Sequence, residues 1–228
     1  SHLPTSNFNW YKDHTAKEPD EVKKTEPVKI ESHRERVNRR TPSGSEKHTV
    51  TAKLLFSRDG QMAREFGTLV HALFEDIEWS EDFNIDKADQ LWKLLPGWTA
   101  EVLEDAIGHT TSCLKSPSVR TALKRPTPLS ECWREKRFEI LLNKEWLSGT
   151  FDRVTIERNM MGKVVKATVL DFKTDRVKTP ESIKNAVEKY QHQLETYRQV
   201  LQRMLGVPAN KIRLCLLFTR IGEVVEIS

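Results

Sequence analysis

The chain has 228 residues, 37% hydrophobic and 31% charged, with a formal net charge of +4 and three cysteines. That length suits one large core or a core with an extension, and Cys113, Cys132 and Cys215, an odd number without C-x-x-C spacing, argue against a disulfide framework, a zinc site and an iron–sulfur cluster. No apolar run approaches the roughly 20 residues of a membrane span, so the expectation is a soluble cytoplasmic protein with no membrane partner, whose charge permits a nucleic-acid partner without demanding one.

Residues 1–60 are expected to form a charged arm or linker. Between residues 12 and 49, alternating charges and prolines leave too little apolar surface to offset ordering entropy, and the preceding SNFNWY carries the aromatics an anchor would need. The globular part is expected over residues 61–228. From Gln61 to Trp79, apolar residues at Met62, Phe66, Leu69, Val70, Leu73, Phe74 and Ile77 repeat at about 3.6 and predict a helix. Further helices are predicted from Ala88 to Leu94 and from Glu101 to Lys115, parted by Pro96-Gly97-Trp98, after which prolines 117, 126 and 128 punctuate the chain.

Strand-like runs follow at 135–142, 145–157 and 163–173, the last two joined by the turn RNMMG, and read as a three-stranded antiparallel meander. Glu181 to Leu205 predicts a long helix stopped by Gly206-Val207-Pro208, and a final strand pair, 212–219 and 223–227, turns at Ile221-Gly222. This order predicts an α/β class: a central mixed sheet containing the meander, flanked by helices. There is no G-x-x-x-x-G-K-[ST] loop for a nucleotide phosphate.

The stretch VLDFKTDRV, 169–177, sets Asp171 and Lys173 two residues apart on a predicted strand, so both emerge on one side with Leu170 and Phe172 on the other. Such a pair is either solvated or functional. Asp152, in SGTFDRV, lies on the neighbouring strand, and two carboxylates brought together across an antiparallel pair repel unless a cation neutralises them. Oxygen ligands of that kind suit Mg²⁺, with Mn²⁺ as a substitute. A lysine beside such an ion can position a water for phosphodiester attack. His71 is a further ligand candidate, sharing a helix flank with Gly67 and Glu75. On the long helix Tyr190, Gln193 and Tyr197 share another flank, able to hold a phosphate or the lysine.

These pieces resemble a known family. Asp152 followed by Asp171-Phe172-Lys173 is similar to the PD-(D/E)XK nuclease core, with its restriction-endonuclease-like fold, and the flanking motifs resemble its RecB-type branch, the nuclease domains of AddA and RecB helicase-nucleases. GTLVHALFE at 67–75 is similar to that branch's G-T-x-x-H-x-x-x-E helix, EKRF at 135–138 to its E-x-P-F strand, SGTFDRV to G-x-I-D-R-V, LDFKT to D-Y-K-T, and YQHQLETY to Y-x-x-Q-L-x-x-Y. Arg137 stands where the family often has proline, and the cluster-binding cysteines of AddB-like members are missing.

The resemblance implies Mg²⁺-dependent hydrolysis of DNA, single-stranded and delivered by a helicase in the same parent chain or a partner subunit. It implies His71, Asp152, Asp171 and the Phe172 carbonyl as metal ligands, Lys173 as the catalytic lysine, and Gln193 and Tyr197 as its support. Tyr190, Lys124, Arg125 and Arg134 are candidate DNA contacts, and Glu75 and Glu135 are carboxylates that could orient the ligands. A rival expectation from another class is a DNA-binding scaffold that keeps the fold without catalysis.

Overall fold

The computed structural model describes residues 39–42 and 58–227; the rest of the expected arm, with SNFNWY, lies outside the described residues. In chain order the elements are β1 (Arg39–Arg40), α1 (Arg58–Glu75), α2 (Ile85–Trp92), α3 (Ala100–Leu114), α4 (Pro117–Ala122), β2 (Glu131–Leu142), β3 (Glu145–Arg158), β4 (Val164–Lys173), α5 (Pro180–Leu205), β5 (Ile212–Phe218) and β6 (Glu223–Ile227).

Turn chemistry fixes the meander. Asn143 and Lys144, at φ 50° and 66°, make the two-residue reversal from β2 to β3, the positive-φ geometry that matches strand twist. At the next turn Asn159 Oδ1 accepts from the amides of Met161 and Lys163, and Gly162 takes φ 76°. The strands β2, β3 and β4 pair antiparallel in succession. Between β4 and β5 the pairing is parallel, which needs a crossover, and α5 supplies it. A Thr179–Ser182 capping box starts that helix and Gly206, at φ 66°, ends it. β6 returns antiparallel to β5, and Arg39–Arg40 adds a short parallel strand to β3 at Trp146–Leu147. The α/β fold is thus a mixed sheet with its antiparallel meander, flanked by helices.

Alternation along β4 and β5 feeds two cores. Leu170, Phe172, Cys215 and Leu217 pack against α1–α4. Ala167, Val169, Leu214, Leu216 and Phe218 pack against α5. A strand covered on both faces reads as a continuous apolar run, and LCLLF in β5 does so.

Helix α1 ends at Glu75, short of the expected Trp79. Ile77 and Trp79 remain buried because the chain beyond the helix closes over Arg153. That arginine is 1% exposed; it donates to the carbonyls of Ile77 at 2.7 Å, Glu78, and Leu123 at 3.4 Å, and lies over the Trp79 ring at 5.3 Å. The short helix α4 departs from the expectation: Pro117, read as a breaker, occupies the first helical position after Ser116, where its missing N–H costs nothing.

Candidate active site

The site begins with an interruption that β2 and β3 share. Their ladder pairs Arg134 with Arg153 and Lys136 with Phe151, and skips Glu135 and Asp152 between. Glu135 has φ 44°, a left-handed conformation that costs a non-glycine residue about 1 kcal/mol or more. Register is unchanged on either side, yet the face assignment is not. Toward α5, β3 presents Leu147 and Phe151 before the skip and Val154 and Ile156 after it, while β2 presents Trp133 before and Phe138, Ile140 and Leu142 after. One residue out of phase exchanges the two faces of a strand; here both strands change phase together, and the two skipped positions are acids.

A second opening lies between β3 and β4. Their pairing stops at Arg153 and Leu170, and beyond it the strands diverge, leaving Asp152 on one and Asp171 on the other. Asp152 Oδ2 bridges the fork by accepting the Phe172 amide at 2.6 Å. Helix α1 crosses here: His71 Nδ1 is 3.6 Å from Asp152 Oδ1 and 3.7 Å from Glu135 Oε1. One ligand atom from each of His71, Glu135 and Asp152 lies within 4.8 Å of the others. Burial alone would lower the His71 pKa, but the Asp152 and Glu135 carboxylates outweigh it and hold the imidazole up to about 10.

Asp171 is 1% exposed. Burial first, and the Asp152 charge second, push its carboxyl up to about 6 against the pull of Lys173, whose ammonium is 2.8 Å from Asp171 Oδ2. Lys173 also donates to Gln193 Oε1 at 3.1 Å. Gln193 in turn donates from Nε2 to the Tyr197 oxygen at 3.1 Å, and Tyr197 donates to the Thr150 carbonyl at 2.9 Å. That chain of bonds fixes which end of the amide faces the lysine. Burial, then the charges of Asp171 and Asp152, keep the Tyr197 phenol protonated by pushing its pKa up.

Sequence reasoning brought most of these groups together, with three differences. Glu135, expected to orient other ligands, stands in the His71–Asp152 cluster itself, whereas Asp171 lies outside that grouping and pairs with Lys173. Tyr190, expected to meet DNA, is 6% exposed and lies beneath Lys173, the ammonium 3.9 Å from its ring centre. The expected basic surface is dispersed: Arg134 is spent on the Glu75 carbonyl at 2.6 Å, and Arg125 pairs with Asp82 at 2.8 Å over the Trp79 ring. Lys124 and Arg125 line a groove of about 730 Å³ that shares no residue with the cleft over the cluster. That cleft, about 640 Å³, is lined by Gly67, His71, Glu75, Glu135, Arg137 and Thr150 among others, so Glu75 stands at its wall and Arg137 is the basic residue that reaches it.

Over residues 47–226 the chain matches the PD-(D/E)XK nuclease superfamily. The chain belongs to this superfamily. It is also similar to a protein of Limosilactobacillus fermentum (strain NBRC 3956 / LMG 18251) named as an ATP-dependent helicase/nuclease subunit, with 40% identity over 63 residues, 26% of this chain and 5% of that protein. As a PD-(D/E)XK chain it would be expected to hold a divalent cation, and its donor set fits one. Two carboxylates and an imidazole converge. The Glu135 Oε1 atom is buried and accepts no hydrogen bond among the described residues, a cost usually met by a partner. The raised His71 pKa reports surplus negative charge at the same point. Ligation by His71 would release its proton, so cation binding and protonation compete there.

Proposed function

We propose that the chain is a metal-dependent deoxyribonuclease that hydrolyses phosphodiester bonds. The observation that carries this reading is the His71–Glu135–Asp152 cluster standing beside the Asp171–Lys173 pair at the fork of β3 and β4. Mg²⁺, with Mn²⁺ as a substitute, would be held by His71, Glu135 and Asp152, with Asp171 and the Phe172 carbonyl as further oxygens. When bound, such an ion polarises a phosphoryl oxygen and makes water in its shell more acidic.

The protein's own groups do the remaining work. The Phe172 amide fixes Asp152, and Lys173, held by Asp171 and Gln193, places an ammonium where negative charge grows on the phosphate. Tyr197 ties Gln193 to the Thr150 carbonyl, so the lysine is oriented from β3 as well as α5. No nucleophilic side chain is needed. The partial likeness to a protein named as a helicase/nuclease subunit supports a substrate of single-stranded DNA ends fed by a helicase, in the same parent chain or a partner subunit, for exonuclease action in recombinational repair. Among the described residues no helix is long and apolar enough to cross a membrane, and we place this work in the cytoplasm.

The test compares labelled single-stranded DNA, duplex DNA and RNA of one sequence with Mg²⁺ and with chelator, using the wild type and Lys173→Ala. Metal-dependent loss of single-stranded DNA is expected, reduced at least ~100-fold by the substitution. Cleavage that survives Lys173→Ala would instead favour the scaffold reading, and RNA degraded as fast as DNA would defeat the substrate assignment.

A further inference from the structure

Tyr190 is a buried phenol that the proposed hydrolysis does not use. Its ring lies under the Lys173 ammonium at 3.9 Å, and its hydroxyl donates to Asp175 Oδ2 at 2.8 Å. From outside, Lys189 donates to the same phenol oxygen at 2.6 Å and pairs with Asp175 Oδ1 at 3.3 Å. Sequence spacing assembles this: Asp175 follows Lys173 by two residues just past β4, and Tyr190 lies one helical turn before Gln193 on α5. The ammonium is therefore held by the Asp171 carboxylate, the Gln193 amide oxygen and the face of Tyr190, among other contacts.

We propose that Tyr190, anchored by Asp175, is a positioning residue for Lys173: its ring is the floor that aims the ammonium at the Asp171 side of the site. The inference rests on the hydrolytic reading above. A ring suits this place better than a further carboxylate would. Asp171 already holds the ammonium at 2.8 Å, and another acid would add to the negative charge of Asp152 and Asp171 at the fork. An aromatic face attracts the cation through its quadrupole and carries no net charge. Nor can it take the lysine's proton, which keeps the ammonium intact for the phosphate. The hydrogen bonds of the phenol oxygen with Asp175 and Lys189 pin the ring plane. Ring and anchor should therefore be separable by substitution.

The experiment measures kcat and KM on labelled single-stranded DNA for the full chain and its Tyr190→Leu, Tyr190→Phe, Lys173→Ala and Lys173→Ala/Tyr190→Leu variants. Tyr190→Leu should lower kcat about tenfold with KM within about twofold, which corresponds to ~1.4 kcal/mol of the barrier. Tyr190→Phe, which keeps the ring and loses the anchor, should lower it about twofold to threefold. In the Lys173→Ala background the leucine substitution should cost nothing more, as for two groups acting through one contact. A parallel readout is independent of turnover: the Lys173 ε-methylene NMR signal should be shifted upfield by the ring in the wild type and in Tyr190→Phe, and should return to the ordinary position in Tyr190→Leu.

An unshifted wild-type signal overturns the proposal, as does an equal loss from leucine with and without Lys173, or a phenylalanine variant as slow as leucine. Should the wild type fail to cleave at all, the hydrolytic reading falls, and the methylene signal still decides whether the ring holds the lysine.

Discussion

Replacing Glu135 with glycine should make this protein more stable and less able to bind a divalent cation. Within a strand the change ordinarily destabilises by about 0.5–1 kcal/mol through lost chain entropy. Here the sign should reverse. Glu135 sits at φ 44°, where glycine removes about 1–2 kcal/mol of strain, and its buried Oε1 accepts no hydrogen bond among the described residues, a further cost of about 1 kcal/mol. Against this stands the attraction to His71 at 3.7 Å, which for groups this exposed is about 0.5 kcal/mol. After the glycine entropy cost is also subtracted, the net gain is about 1 kcal/mol, roughly 2–4 °C in Tm for a domain of this size.

Glu135→Ala is the control, because alanine also removes the carboxylate yet keeps the backbone penalty. The two variants should differ by about 0.5–1 kcal/mol in urea unfolding, with unchanged m-values. Isothermal titration with Mn²⁺ should show both binding at least ~10-fold more weakly than the wild type. A glycine variant no more stable than the alanine variant would refute the strain argument, and undiminished Mn²⁺ affinity would remove Glu135 from the ligand set.

Without divalent cation, the contribution of His71 to stability should follow pH with a definite sign. Its folded pKa is raised to about 10 from 6.5, so the stabilisation is complete below about 6.5 and lost as pH climbs through 10; His71→Asn should therefore cost less at about pH 10.5 than at about pH 7 in paired urea titrations, and a constant difference would contradict the carboxylate contacts. Gly149→Ala should destabilise by about 1–3 kcal/mol, since its Cβ would fall 2.7 Å from Phe138 Cζ and Phe138 is itself packed on Phe151 at 4.7 Å. An unchanged urea midpoint would show that the Phe138 ring can move.

Much of this architecture was legible because period and spacing were informative where the backbone is regular. Asp171 and Lys173 share a face by simple alternation, and α5 keeps a 3.6 stripe from Ala186 to Leu201. The acids of β2 and β3 were harder. No single alternation describes β3, since Phe151 and Val154 both point toward α5, and a pattern with two phases cannot say where the residue between them faces. Glu135 could not be placed in the cluster for the same reason: its left-handed backbone has no signal in EKRF. Ile77 and Trp79 extended the α1 spacing by coincidence, buried by a loop and not by a helix face. Tyr190 was ambiguous because an aromatic on a motif-bearing flank suits a nucleic acid base as well as a lysine. The two arginines of β1 carry no strand signature, and only the edge of β3 beside them reveals their use.

Arg153 follows Asp152 directly, and because the strand changes phase between Phe151 and Val154, simple alternation does not by itself keep its charge away from that acid. The arginine instead faces the chain segment after α1 and is quieted by peptide carbonyls at Ile77, Glu78 and Leu123. The protein thereby insulates a permanent positive charge from the acids next door. A guanidinium neutralised by dipoles takes no carboxylate out of service, so Asp152 keeps its affinity for whatever exchangeable cation arrives.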